Sequence, residues 1–90
     1  MPSDIRPDEG PGDPQKWKES GNEFFRKGQY GEAIRCYVHA IEQDPAFIEA
    51  WNNLGLALFR IGKVEEAKEC NERVKKLKEA HISRISDSAK

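Results

Sequence analysis

The side chains in this sequence with the strongest intrinsic chemistry are two cysteines, Cys36 and Cys70, and two histidines, His39 and His81. Cys36 and His39 are separated by two residues, so on a helix they share a face and offer two ligands to zinc. A structural zinc site needs four ligands, and no second pair with ligand spacing occurs elsewhere in the chain. No metal and no other cofactor is therefore expected. Catalysis finds equally little to work with: there is no glycine-rich phosphate loop, no H-E-x-x-H and no G-x-S-x-G. Neither histidine has an acid–nucleophile set beside it, and the chain is not expected to be an enzyme. Lys75, Lys76 and Lys78 form a basic cluster, but Glu69, Glu72 and Glu79 flank it, so it reads as a solvated helix face with no nucleic-acid contact.

The elements that position these residues are helical. In 90 residues, 15 Lys and Arg stand against 16 Asp and Glu, for a net charge of −1, and 37% of residues are hydrophobic. That balance creates no field for nucleic acid or an anionic membrane. No apolar run approaches the roughly 18 residues of a membrane span. Residues 1–20 have no apolar stretch of the signal-peptide kind, so a cytoplasmic location is expected. Residues 1–13 hold three Pro, two Gly and a local charge of −3, with too little apolar surface to offset ordering entropy; they predict a disordered acidic arm. Residues 86–90 are small and polar and predict a frayed tail. Between these ends, apolar residues recur at helical spacing: Trp17, Gly21, Phe24 and Phe25; then Ala33, Ile34, Tyr37, Val38 and Ile41; then Trp51, Leu54, Gly55, Leu58 and Phe59; then Val64, Ala67, Cys70, Val74, Leu77, Ile82 and Ile85. Breakers at Gly28 and Gly31, Asp44-Pro45 and Gly62 separate them, while Asp13-Pro14 supplies an N-cap and a first-turn proline. The spacing predicts helices near 14–27, 31–43, 47–61 and 64–83, with connections short enough to force antiparallel neighbours.

A shift of 34 residues superposes the chain on itself, pairing Trp17 with Trp51, Gly21 with Gly55, Phe25 with Phe59, Arg26 with Arg60, Gly28 with Gly62, Glu32 with Glu66, Ala33 with Ala67 and Cys36 with Cys70. This unit resembles the tetratricopeptide repeat (TPR) family, whose pattern is W-x2-L-G-x2-Y, then A-x3-F, then P. The first copy gives Trp17, Ser20, Gly21, Phe24, Ala33, Tyr37 and Pro45. The second opens on Trp51, Leu54, Gly55, Leu58 and Ala67, then departs at Asn71 and Glu79, where an aromatic and a proline belong. The resemblance implies an all-α fold of four antiparallel helices in a right-handed superhelix, with repeat one at 14–47, repeat two at 48–81 and a helical extension to about 85. It implies close helix crossings at Gly21, Gly55, Ala33 and Ala67, and core roles for Trp17 and Trp51. Two repeats fall below the three usually needed to close such a core. The unbroken stretch after Val64 is therefore expected to cap the end, its last turns taking the place of a third repeat's first helix. Cys36 and Cys70, one repeat apart, belong on equivalent faces of the second and fourth helices; neighbouring helix axes lie about 8–10 Å apart, too far for a disulfide, and the two are read as free thiols.

The resemblance also implies what the chain binds. The first helices of successive repeats line a concave groove for a peptide or another protein, which here presents Lys18, Asn22, Phe25 and Arg26, then Asn52, Asn53, Leu56, Phe59 and Arg60. In members that hold a terminal carboxylate, a Lys and two Asn stand where Lys18, Asn22 and Asn53 stand here. The further Lys and Arg of a third repeat are replaced by Ser83 and Asp87. Ala67, Cys70, Val74, Leu77, Ile82 and Ile85 also form a seam that suits a second copy, which leaves monomer and homodimer both open. The expectation is a protein-binding adaptor or scaffold.

Overall fold

Asp13 and Pro14 start the first helix as their chemistry requires. The Asp13 carboxylate accepts a hydrogen bond from the Lys16 backbone N–H at 2.8 Å, and Pro14 occupies the first turn, where no N–H is needed. The structure is a computed structural model that describes the backbone of residues 12–89 and the side chains of residues 12–80. The arm expected over 1–13 therefore lies almost wholly outside the described residues, as do the side chains of Ile82 and Ile85. The described chain forms α1 (Pro14–Arg26), α2 (Tyr30–Gln43), α3 (Ile48–Arg60) and α4 (Val64–Ala89).

The repeat is visible in how helices end. After α1, the Gly28 N–H donates to the Phe25 carbonyl at 3.0 Å and the Gln29 N–H to the Phe24 carbonyl at 2.9 Å. After α3, Gly62 bonds Phe59 at 3.0 Å and Lys63 bonds Leu58 at 2.9 Å, the same closure one repeat later. Gly28 and Gly62 have φ of 80° and 89°, the left-handed conformation that this cap demands and that glycine adopts without a Cβ clash. α2 ends differently. Asp44 N–H closes on Ala40 at 2.9 Å, and Pro45 cannot continue the ladder.

Each helix packs on its predecessor, and α3 also touches α1; the backbones of α2 and α4 stay apart, each lying on α3. One core cluster joins Ala33 and Tyr37 of α2 to Leu54, Ala57 and Leu58 of α3 and to Ala67 and Cys70 of α4. A second joins Trp17, Cys36, Ala40 and Ala50. The close crossing at Gly21 is tight: a Cβ there would meet the Tyr37 ring at 2.6 Å. At Gly55 the nearest atom would be Cys70 Cβ at 3.2 Å. Trp17 is buried, but Trp51 is only half-buried and Pro45 is exposed in its turn.

α4 departs from expectation at its end. It is one unbroken helix of 26 residues, about 39 Å long at 1.5 Å per residue, and it carries its backbone through the residues expected to fray as far as Ala89. No Gly or Pro follows Gly62, so nothing breaks it. An unbroken helix cannot turn back across the α3–α4 pair, so its last turns do not stand where a third repeat's first helix would.

The outer face of repeat two is covered by chemistry instead. Tyr37, Val38 and Ile41 of repeat one pack into the cluster that α3 completes. Their counterparts one repeat on are Asn71, Glu72 and Lys75, all exposed. A polar outer face is what a terminal repeat of a solenoid needs. Phe59 and Leu56 remain 61% and 50% exposed at its edge. Among the described residues, no helix is long and apolar enough to cross a membrane.

Candidate functional site

The concave face is built from α1 and α3, with Tyr37 of α2 beneath. Helical spacing brings Asn22 and Asn53 together at its centre, where Asn53 Nδ2 donates to Asn22 Oδ1 at 3.0 Å. The Tyr37 hydroxyl donates to the same oxygen at 2.6 Å. A carbonyl oxygen has two lone pairs, so both are taken, and the Asn22 amide is fixed in one orientation. Its N–H donors and the Asn53 carbonyl make no hydrogen bond among the described residues, and both amides border an open cleft of about 160 Å³ with Phe25, Arg26, Tyr37 and Leu56. Cleft walls that pair amide donors and acceptors with apolar surface suit the backbone and side chains of an extended chain.

Cations flank the cleft at one end. The Arg60 guanidinium lies 5.6 Å from the Phe25 ring centroid and donates to the Tyr30 hydroxyl at 3.5 Å, while Tyr30 meets Phe25 edge-on at 5.0 Å. Among the described residues, Arg26 is held only by an exposed pair with Glu23 at 3.9 Å. Lys18 behaves differently. Its ammonium pairs with Glu49 at 2.5 Å, with the lysine side chain 13% exposed, and stands 5.5 Å from the Phe47 ring. The structure therefore brings Asn22, Phe25, Arg26, Asn53 and Leu56 to one cleft with Arg60 at its end. Asn52 and Phe59 are left exposed, and Lys18 is engaged by a carboxylate of the chain itself.

Sequence reasoning missed three contributors: Tyr37 as the anchor of Asn22, Tyr30 as the support of Arg60, and Glu49 as the partner of Lys18. Only Tyr37 left a signal, a hydroxyl at a position where the family pattern takes phenylalanine. Of the side chains singled out for metal chemistry, Cys36 and Cys70 sit in separate core clusters. His39 stacks on Trp17 with ring centroids 4.3 Å apart. Among the described residues, no three His, Cys, Asp or Glu side chains are arranged to hold a metal ion.

Burial pushes the Tyr37 phenol up to about 12, with a smaller push from the neighbouring Cys36 and a small opposing pull from Arg26. Burial also raises the Cys36 thiol, helped by Glu32, and the Cys70 thiol, helped by Glu69 and Glu66. These acids hold their protons more tightly in the folded chain than in the unfolded one. Their contribution to stability is therefore complete below the ordinary values of 9.0 and 10.0 and is lost as pH rises through the raised ones. Urea denaturation is expected to show falling stability from about pH 9 upward. In a Tyr30→Phe variant, phenolate absorbance should appear only near the Tyr37 value of about 12. A titration near pH 10 in the folded variant would remove this assignment.

A family model described as TPR repeat matches residues 21–67. RNA polymerase II-associated protein 3 of Xenopus tropicalis is 42% identical over 55 residues, which is 60% of this chain and 8% of that protein. TPR repeat-containing thioredoxin TTL4 of Arabidopsis thaliana is 41% identical over 64 residues, 70% of this chain and 9% of that one. An uncharacterised protein of Methanocaldococcus jannaschii is 40% identical over 52 residues, 58% of this chain and 60% of that protein. The chain thus spans under a tenth of the first two relatives and about three fifths of the third. The matched residues run from the Gly21 crossing through the Asn22–Asn53 pair to Ala67, and on that ground the chain belongs to the tetratricopeptide repeat family.

Proposed function

We propose that this chain is a non-catalytic adaptor whose concave face holds an extended peptide of a partner protein. TPR repeats generally mediate protein–protein interaction, and one relative is named for its association with RNA polymerase II. The observation that carries the reading is the Asn22–Asn53–Tyr37 network. Asn22 is locked by two hydrogen bonds with its N–H donors bordering the cleft. Such a pre-organised amide bonds a peptide backbone without first paying ordering entropy. Phe25 and Leu56 take an apolar side chain beside it, and Arg26 and Arg60 favour an acidic residue at the cleft's end.

The pairing of Lys18 with Glu49 argues against a terminal-carboxylate site centred on Lys18, because a ligand carboxylate would have to displace one already bound. An array of acidic peptides, each with a free and an amidated C-terminus, tests both statements. Bound peptides should be retained in either form and should lose at least about fivefold in affinity with an Asn22→Ala, Asn53→Ala double variant, since two backbone hydrogen bonds of about 0.5–1.5 kcal/mol each are removed. Binding that survives the double variant unchanged overturns the groove. Binding that needs the free carboxylate and is lost with Lys18→Ala restores the carboxylate site.

A further inference from the structure

We propose a second docking surface on the opposite side of α3, a cleft that takes a large apolar side chain flanked by lysine or arginine. It exists because α2 and α4 both lie on α3 while their backbones stay apart. The opening between them measures about 320 Å³, within the range of pockets that accept ligand groups. Ile34 and Val38 of α2 form one wall, Trp51 and Leu58 of α3 the floor, and Glu66 and Glu69 of α4 the other rim. The concave cleft uses Asn53 and Leu56, which point away from Trp51 and Leu58 on the same helix, so the two sites do not share a wall.

The floor is held at two points. The Trp51 indole N–H donates to the Pro45 carbonyl at 2.7 Å, and the Arg73 guanidinium lies 5.3 Å from the indole ring centroid. Ile34, Val38 and Trp51 are each only half-buried, so apolar surface is open to a partner. Acids outnumber bases on this rim. Glu66 and Glu69 are exposed and line the cleft, and neither is ion-paired among the described residues, while the cation beside it, Arg73, rests on the Trp51 ring. Both acids press on the Cys70 thiol in the same wall, so their field reaches into the cleft. An apolar group entering would be desolvated, and a cation carried beside it would meet the two carboxylates. A partner with acids there would be repelled.

Three capped, dye-labelled peptides test this with the full chain: Leu-Phe between pairs of lysines, Leu-Phe between pairs of glutamates, and Gly-Ser between pairs of lysines. The first is expected to bind saturably and to change Trp51 fluorescence, with the other two at least tenfold weaker. Glu66→Gln with Glu69→Gln should weaken the first peptide at least fivefold with melting unchanged. Asn22→Ala with Asn53→Ala should leave it as it was, which separates this surface from the concave groove. Equal binding of the basic and acidic peptides, no saturable binding, or loss with the asparagine variant overturns the proposal. So does a homodimer that dissociates with the glutamine variant, since the cleft would then belong to a second copy.

Discussion

Replacing Tyr37 by alanine should lower the melting temperature by about 15–30 °C, one of the two largest losses expected from a single truncation among the described residues. The ring is 1% exposed and sits where α1, α2 and α3 meet. Truncating a buried aromatic costs about 3–5 kcal/mol, and the cavity term adds to the transfer term because the backbone around it cannot collapse. A chain of 90 residues holds roughly 5–13 kcal/mol in total, so much of that margin disappears. Tyr37→Phe separates packing from polarity. It keeps the ring against Gly21, where even one added carbon would approach within 2.6 Å, and removes only the hydroxyl that holds Asn22. Its stability cost should be near 1 kcal/mol, while peptide binding in the concave cleft weakens more than stability does. Thermal circular dichroism and peptide titration on the same three proteins check this. Equal losses from Tyr37→Phe and Tyr37→Ala would show that the hydrogen bond, and not the buried ring, carries the stability.

Much of this architecture could be read without coordinates, because it depends on period and on backbone rules. Asp13-Pro14, Gly28, Pro45 and Gly62 each act through local geometry, and all four mark helix ends within a residue or two of those expected. The groove was legible only as a face. Helical spacing put Asn22 and Asn53 on facing helices, but the orientation of an amide depends on a hydroxyl 15 residues away in sequence. Lys18 shows the limit most clearly. Its position fits a ligand contact, yet a carboxylate 31 residues on takes its charge, and nothing in the spacing of Glu49 announces it. The closing of the solenoid is legible in two parts. The unbroken run after Val64 gives one continuous helix, and continuity is what keeps its last turns from folding over the α3–α4 pair. The polar outer face lies in Asn71, Glu72 and Lys75, where the sequence drifts from the repeat pattern.

Trp17 and Trp51 occupy equivalent places in the two repeats, and they should respond oppositely to substitution by phenylalanine. Trp17 is 8% exposed among Cys36, Ala40 and Ala50, with Phe24, Ile41 and Phe47 packed against the same cluster and His39 stacked on its ring, so alanine would leave a large hole at the centre of these contacts. Trp17→Ala should therefore fall at the upper end of the roughly 3–5 kcal/mol range for buried aromatics. Its indole N–H, however, is buried with no hydrogen-bond partner among the described residues, a penalty of about 1–3 kcal/mol where it stays unpaired. Phenylalanine retains most of the packing against His39 and removes that orphan donor, so Trp17→Phe should cost less than half of what alanine costs. At the second position the balance reverses. Trp51 satisfies its N–H on Pro45 at 2.7 Å and supports Arg73, while its ring is only half-buried. Trp51→Phe surrenders a hydrogen bond and leaves the Pro45 carbonyl to solvent, so most of its cost should already be reached at phenylalanine, with alanine adding little. Urea denaturation of the four variants measures the two ratios. If phenylalanine retains the same fraction of stability at both positions, the repeats are energetically equivalent and the orphan donor at Trp17 carries no penalty.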